Sequence, residues 1–200
     1  MDTAHSMIPN NPAEILLTLD GELDHEVSLV LYGRAALCLG FHQSPQAFQA
    51  TQDVDAIISM AQLSVLTNDL QFWEAIDRTN HILSPKGLYI THLFAEDQVF
   101  LRPDWENFIV PIHIPGLRHL KLFRPHALDL ILTKMMRGND ALDLDDIRFL
   151  ANVETITMTE IEHAFSTVRI PEDIPEFTEA FQRALPTVRD IIETATRTTP

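Results

Sequence analysis

Two aspartates two residues apart, Asp53 and Asp55, stand at the head of an apolar run that continues through Ile58. In a strand, residues i and i+2 share a face, so both carboxylates point one way and Val54 turns to the other. Adjacent like charges repel, and a divalent cation is the usual reason to tolerate them. Upstream, the run Val27–Tyr32 ends at Gly33-Arg34 and a small-residue helix start. Downstream, Lys134 and Arg137 are three apart and share a helix face, as do Asp143 and Asp146, which are suited to bind that basic pair. Each feature has a plainer reading beside the chemical one. Asp53 and Asp55 could be a solvated strand end, and Gly33 an ordinary strand-to-helix turn. Lys134 and Arg137 could be favourable charges at a helix C-terminus, and Asp143 an N-cap.

These side chains need elements to hold them. Asn11-Pro12-Ala13-Glu14 suits a helix start, with Ile15, Leu16, Leu19 and Leu23 following at helical spacing. Val27–Tyr32 reads as a buried strand, Ala35 to Leu39 as a short buried helix, Phe41 to Gln52 as a loop and Asp53 to Met60 as a second strand. Leu66 to Leu83 reads as one helix capped by Asn68 or Asp69. Leu88 to Phe94 and Gln98 to Leu101 suggest a hairpin, and Phe108 to Ile114 and Leu117 to Phe123 two more strands. An apolar helix from Pro125 through Met136 stops at Gly138, and a further helix covers Leu142 to Val153 with Asp143 as cap. The tail, Thr159 to Thr196, reads as two helices separated by prolines, with Phe177, Phe181 and Leu185 forming either core or a partner interface. The expected fold class is α/β: a mixed sheet flanked by helices over 11–150, with a C-terminal helical segment, 151–200, packed on it.

Composition narrows the function. Of 200 residues, 46% are hydrophobic and 22% charged, an ordinary globular balance, and the net charge is −15. Such acidity disfavours broad DNA binding. Cys38 is the lone cysteine, so no disulfide forms within the chain; it reads as a buried, inert thiol. Neither a signal peptide nor a membrane span is apparent, and a cytoplasmic location is expected. His113, His119 and His126 lie near one another in sequence without the spacing of a zinc site.

The order strand, Gly33, helix, loop, Asp53-Val54-Asp55 resembles the polymerase-beta-like nucleotidyltransferase fold. It is most similar to the minimal bacterial nucleotidyltransferases related to abortive-infection type II toxins. Lys134, Arg137 and the acidic helix start at Asp143 resemble a second signature of that group, and together the matches span residues 27 to 150. The resemblance implies that Asp53 and Asp55 bind Mg²⁺ or Mn²⁺ and are catalytic. Gly33 would meet nucleotide phosphates, with Lys134 and Arg137 neutralising the triphosphate. The implied reaction moves a nucleoside monophosphate from an NTP to an acceptor such as tRNA, a protein side chain or a small molecule, in a toxin–antitoxin or phage-defence setting. The chain departs from the pattern in three places. Arg34 stands where a second Gly or Ser is usual, so it is either a phosphate contact or an internal partner of Asp53 and Asp55 occupying the metal's place. No acid lies within 89–93, leaving His92 as a substitute ligand or the third position lost. Leu142 replaces a lysine. A catalytically inactive binding or antitoxin-like module is therefore the alternative.

Overall fold

The computed structural model describes residues 10–198, so the expected polar, frayed start at 1–9 lies outside the described residues. Helix α1 spans Asn11–Glu22; the Asn10 side chain accepts the Ala13 N–H at 3.1 Å, and Pro12 sits in the first turn, where a missing N–H costs nothing. Strand β1, Val27–Tyr32, is central. Its alternation serves two cores: Val27, Leu29 and Leu31 join the main one, whereas Val30 joins a smaller one with Ile57, Val99, Leu101 and Trp105. A strand buried on both faces reads as a continuous apolar run.

The remaining strands are β2 (Asp53–Ile58), β3 (Tyr89–Ala95), β4 (Val110–Ile112) and β5 (Leu120–Arg124). They form a five-stranded mixed sheet of order β3-β2-β1-β5-β4. β1 runs antiparallel to β2 and parallel to β5, and β2 runs parallel to β3. The helices around the sheet are α2 (Gly33–Gly40), α3 (Met60–Thr67), α4 (Leu70–Leu83), α5 (Ala127–Lys134), α6 (Ala141–Val153), α7 (Met158–Thr167) and α8 (Pro175–Thr198). The class is α/β, as expected. Among the described residues, no helix is long and apolar enough to cross a membrane.

Several local expectations are corrected. The helix expected from Leu66 to Leu83 is two, because Asp69 starts a new one by accepting the Phe72 N–H at 3.0 Å. The hairpin over 88–101 does not form. Parallel strands need a long crossover, and α3 and α4 supply it, so β3 pairs with β2. Val99 and Leu101 instead fill the smaller core, with Leu101 bridging to Arg169. Asp140, not Asp143, caps α6, accepting the Leu142 and Asp143 N–H groups. Phe177 and Phe181 pack edge-on against Phe100, so that stripe covers the chain's own core.

One buried carboxylate holds the sheet's register from outside it. Asp20, 2% exposed near the end of α1, accepts the backbone N–H groups of Arg118, His119 and Leu120 at 2.7–3.0 Å. Those residues lead into β5, where Leu120 lies opposite Val27. Burial alone would raise the carboxyl's pKa, but the three backbone donors outweigh it and hold it below 3.8. A depressed folded value means the stabilisation is present above the unfolded value and is lost as pH falls through the folded one. Asp20→Asn, which gives up an acceptor to those amides, should cost about 2 kcal/mol at neutral pH. Urea unfolding should also show a flatter loss of stability below about pH 4 for the variant than for wild type.

Candidate functional site

The sheet brings the ends of three strands together. Tyr32, the last residue of β1, lies opposite Asp55 in β2, and Asp55 lies opposite His92 in β3. Val54, Ala56 and Ile58 enter the main core, so Asp53 and Asp55 turn to the other face, as their spacing requires. Thr51 Oγ1 donates to Asp53 Oδ1 at 3.0 Å, and Thr91 Oγ1 donates to Asp55 Oδ1 at 2.7 Å, with His92 Nδ1 at 3.3 Å. Among the described residues, Oδ2 of each aspartate accepts no hydrogen bond.

Gly33 begins α2 with φ +65°, a left-handed conformation that disfavours a side chain. A Cβ there would lie 3.7 Å from Asp55 Oδ2, so the chain turns directly over the carboxylate. Tyr32 stands at the N-cap but makes no side-chain capping bond, unlike the caps of α1, α4 and α6. The first-turn amides of α2 therefore lack a side-chain acceptor.

A ladder of ion pairs forms the facing wall. Lys134 Nζ lies 2.6 Å from Asp146 Oδ2 and 3.2 Å from Asp143 Oδ1. Arg137 Nε donates to Asp143 Oδ2 at 2.6 Å, and that bond raises the guanidinium's pKa further. The basic pair and the acidic pair thus meet, although the helix expected through Met136 ends at Lys134 and Arg137 lies in the 3₁₀ turn Met135–Arg137, where a three-residue spacing again keeps side chains on one side. Arg34, however, does not lock onto Asp53 or Asp55. Its Nε donates to Asp146, with both oxygens at 3.2–3.4 Å. The reading in which Arg34 takes a metal's place is therefore set aside.

Between the walls lies a cleft of about 530 Å³, lined by Gly33, Arg34, Asp53, Asp55, Lys134 and Arg137 among others. All six residues singled out from the sequence share it. Tyr32 and Phe94 pack edge-on along it at 5.8 Å, and His92 stacks on Phe94 at 5.1 Å. Burial, then Asp55 and Asp53, push the Tyr32 phenol well above its usual value, so it stays protonated. Sequence reasoning missed Thr51, Thr91 and Phe94. Only Thr51 carried a local signal, a hydroxyl two residues before Asp53 in extended chain. Glu96 is used elsewhere, accepting the Trp105 indole N–H at 2.8 Å.

Among the described residues, no group of three or more His, Cys, Asp or Glu side chains is placed to hold a metal by itself. Magnesium rarely needs one: it takes one or two carboxylates and completes its shell with water and substrate phosphates. Asp53 and Asp55, each with an open Oδ2 on one wall, fit that donor set. Residues 13–178 match a family model described as "Nucleotidyltransferase of unknown function (DUF6036)". No curated protein and no solved structure matches the chain.

Proposed function

The chain belongs to this nucleotidyltransferase family, DUF6036, and from that premise we propose that the cleft transfers a nucleoside monophosphate from an NTP to an acceptor hydroxyl. The acceptor hydroxyl loses its proton to solvent, its oxygen forms a bond to the α-phosphorus, the bond to the bridging α–β oxygen breaks, and pyrophosphate leaves with that electron pair. The observation that carries the reading is the opposition of two walls across one cleft, Asp53 and Asp55 facing Arg34, Lys134 and Arg137. Asp53 and Asp55 would hold Mg²⁺ or Mn²⁺ through their open oxygens. When bound, such an ion neutralises charge developing on the phosphate oxygens. The amides opening α2 at Gly33 orient the phosphates, and the basic wall balances their charge. Thr91 fixes the rotamer of Asp55 through its 2.7 Å bond.

The proposed setting is a cytoplasmic toxin–antitoxin or phage-defence system, on the strength of the abortive-infection resemblance. A net charge of −15 favours a protein or small-molecule acceptor over a large RNA. The test is incubation with each labelled NTP, Mg²⁺ and a cell extract. Label should pass to one class of molecule and require the divalent ion. His92 at the strand position opposite Asp55, where an acid is expected from the resemblance, favours the binding-only alternative. That alternative would show as a melting temperature raised by Mg²⁺ and NTP with no label transferred.

A further inference from the structure

Three cations line the cleft, and their partners set them apart. Lys134 is largely buried, and its Nζ serves two buried carboxylates, Asp143 and Asp146. Turning it to a ligand would strip both acids of a counter-charge, which is costly in a buried setting. Arg137 spends its Nε on Asp143 and holds Nη2 3.4 Å from Asp140. Arg34 differs. Only its Nε is engaged, on Asp146, and its guanidinium carbon lies 5.5 Å from the ring centre of Phe48. Phe48 is itself buried and set edge-on to Phe149 at 5.2 Å. Among the described residues, Nη1 and Nη2 of Arg34 donate no hydrogen bond. The guanidinium is thus held by one edge and one face while its two terminal nitrogens have their hydrogen bonds left to give. It is also the side chain directly after Gly33, beside the opening amides of α2.

We propose that Arg34 is the cation that recognises the β- and γ-phosphates of the nucleotide, with Asp146 and Phe48 as its positioning residues and Lys134 as a strut beneath them. This assignment rests on the nucleotide reading above and deepens it. A guanidinium fork matches two phosphate oxygens at once, and a fork fixed beforehand loses little freedom on binding. Selection then follows from phosphate number, because a monophosphate ends before the fork.

The experiment is equilibrium binding to the full chain, in Mg²⁺, of the α,β-methylene analogue of each NTP and of the matching NMP. Wild type should prefer the triphosphate analogue. Arg34→Ala should weaken that analogue roughly 10- to 100-fold and leave the NMP little changed, so that the preference collapses. Arg34→Lys should not restore it, because an ammonium lacks the fork. Phe48→Leu keeps an apolar side chain at a buried position and should lower the triphosphate preference several-fold, a readout that mere loss of stability would not move. An unchanged preference in Arg34→Ala overturns the assignment while leaving the nucleotide reading intact. So does a preference that collapses in Lys134→Gln but not in Arg34→Ala. A wild-type protein that binds none of the analogues overturns both.

Discussion

Asp55→Asn is expected to lower nucleotidyl transfer by about 10³-fold or more without destabilising the fold. The side chain has two tasks on its two oxygens. Oδ1 accepts the Thr91 hydroxyl at 2.7 Å, whereas Oδ2 lies beneath Gly33 without a partner among the described residues. An asparagine can keep its carbonyl oxygen on Thr91 and present an amide in place of Oδ2. The local hydrogen bond survives, and the charge that would hold a divalent ion is lost. Removing one of two neighbouring like charges also relieves repulsion, so the melting temperature should stay level or rise. Asp53→Asn should behave the same way, with Thr51 as the retained donor. Label transfer from NTP and thermal melting, measured on the same preparations, check both halves. Transfer within tenfold of wild type would remove these carboxylates from the chemistry.

Lys134→Met is expected to cost about 3 kcal/mol of stability, roughly 6–12 °C in Tm. The substitution leaves Asp143 and Asp146, 3% and 0% exposed, without the ammonium that lies between them. Arg137 and Arg34 still reach one acid each, which keeps the loss well short of unfolding. The mechanism makes a further demand. Adding Asp146→Asn to Lys134→Met should recover part of the loss, because a neutral amide needs no buried counter-charge. Urea unfolding of the two single variants and the double variant gives the coupling energy. A Lys134→Met protein as stable as wild type would mean that the ammonium is solvated and not a strut.

Much of the cleft was legible because its signals are local. The alternation of 53–58 placed both acids on one face whatever lay beside them. The same holds for Asp143 with Asp146, where helical spacing sets a shared face, whereas Arg137 lies past the end of α5 in a 3₁₀ turn whose three-residue repeat keeps it on the side of Lys134. Misreadings arose where a local signal had two outcomes. The apolar stretch 99–101 looks like a strand, and only the competing crossover through α3 and α4 makes it part of a loop that fills the smaller core.

Periodicity states which face a residue occupies and says nothing about what meets that face. The amino-acid sequence therefore determined the central strand, the glycine turn, the carboxylate pair and the basic face, each through contacts only a few residues apart. Tertiary packing decided that Asp146 receives Arg34 across 112 residues of chain, that β3 sets Thr91 against Asp55, and that Phe48 lies under a guanidinium. Such partners are chosen when whole faces compete for burial, and that choice depends on every element at once.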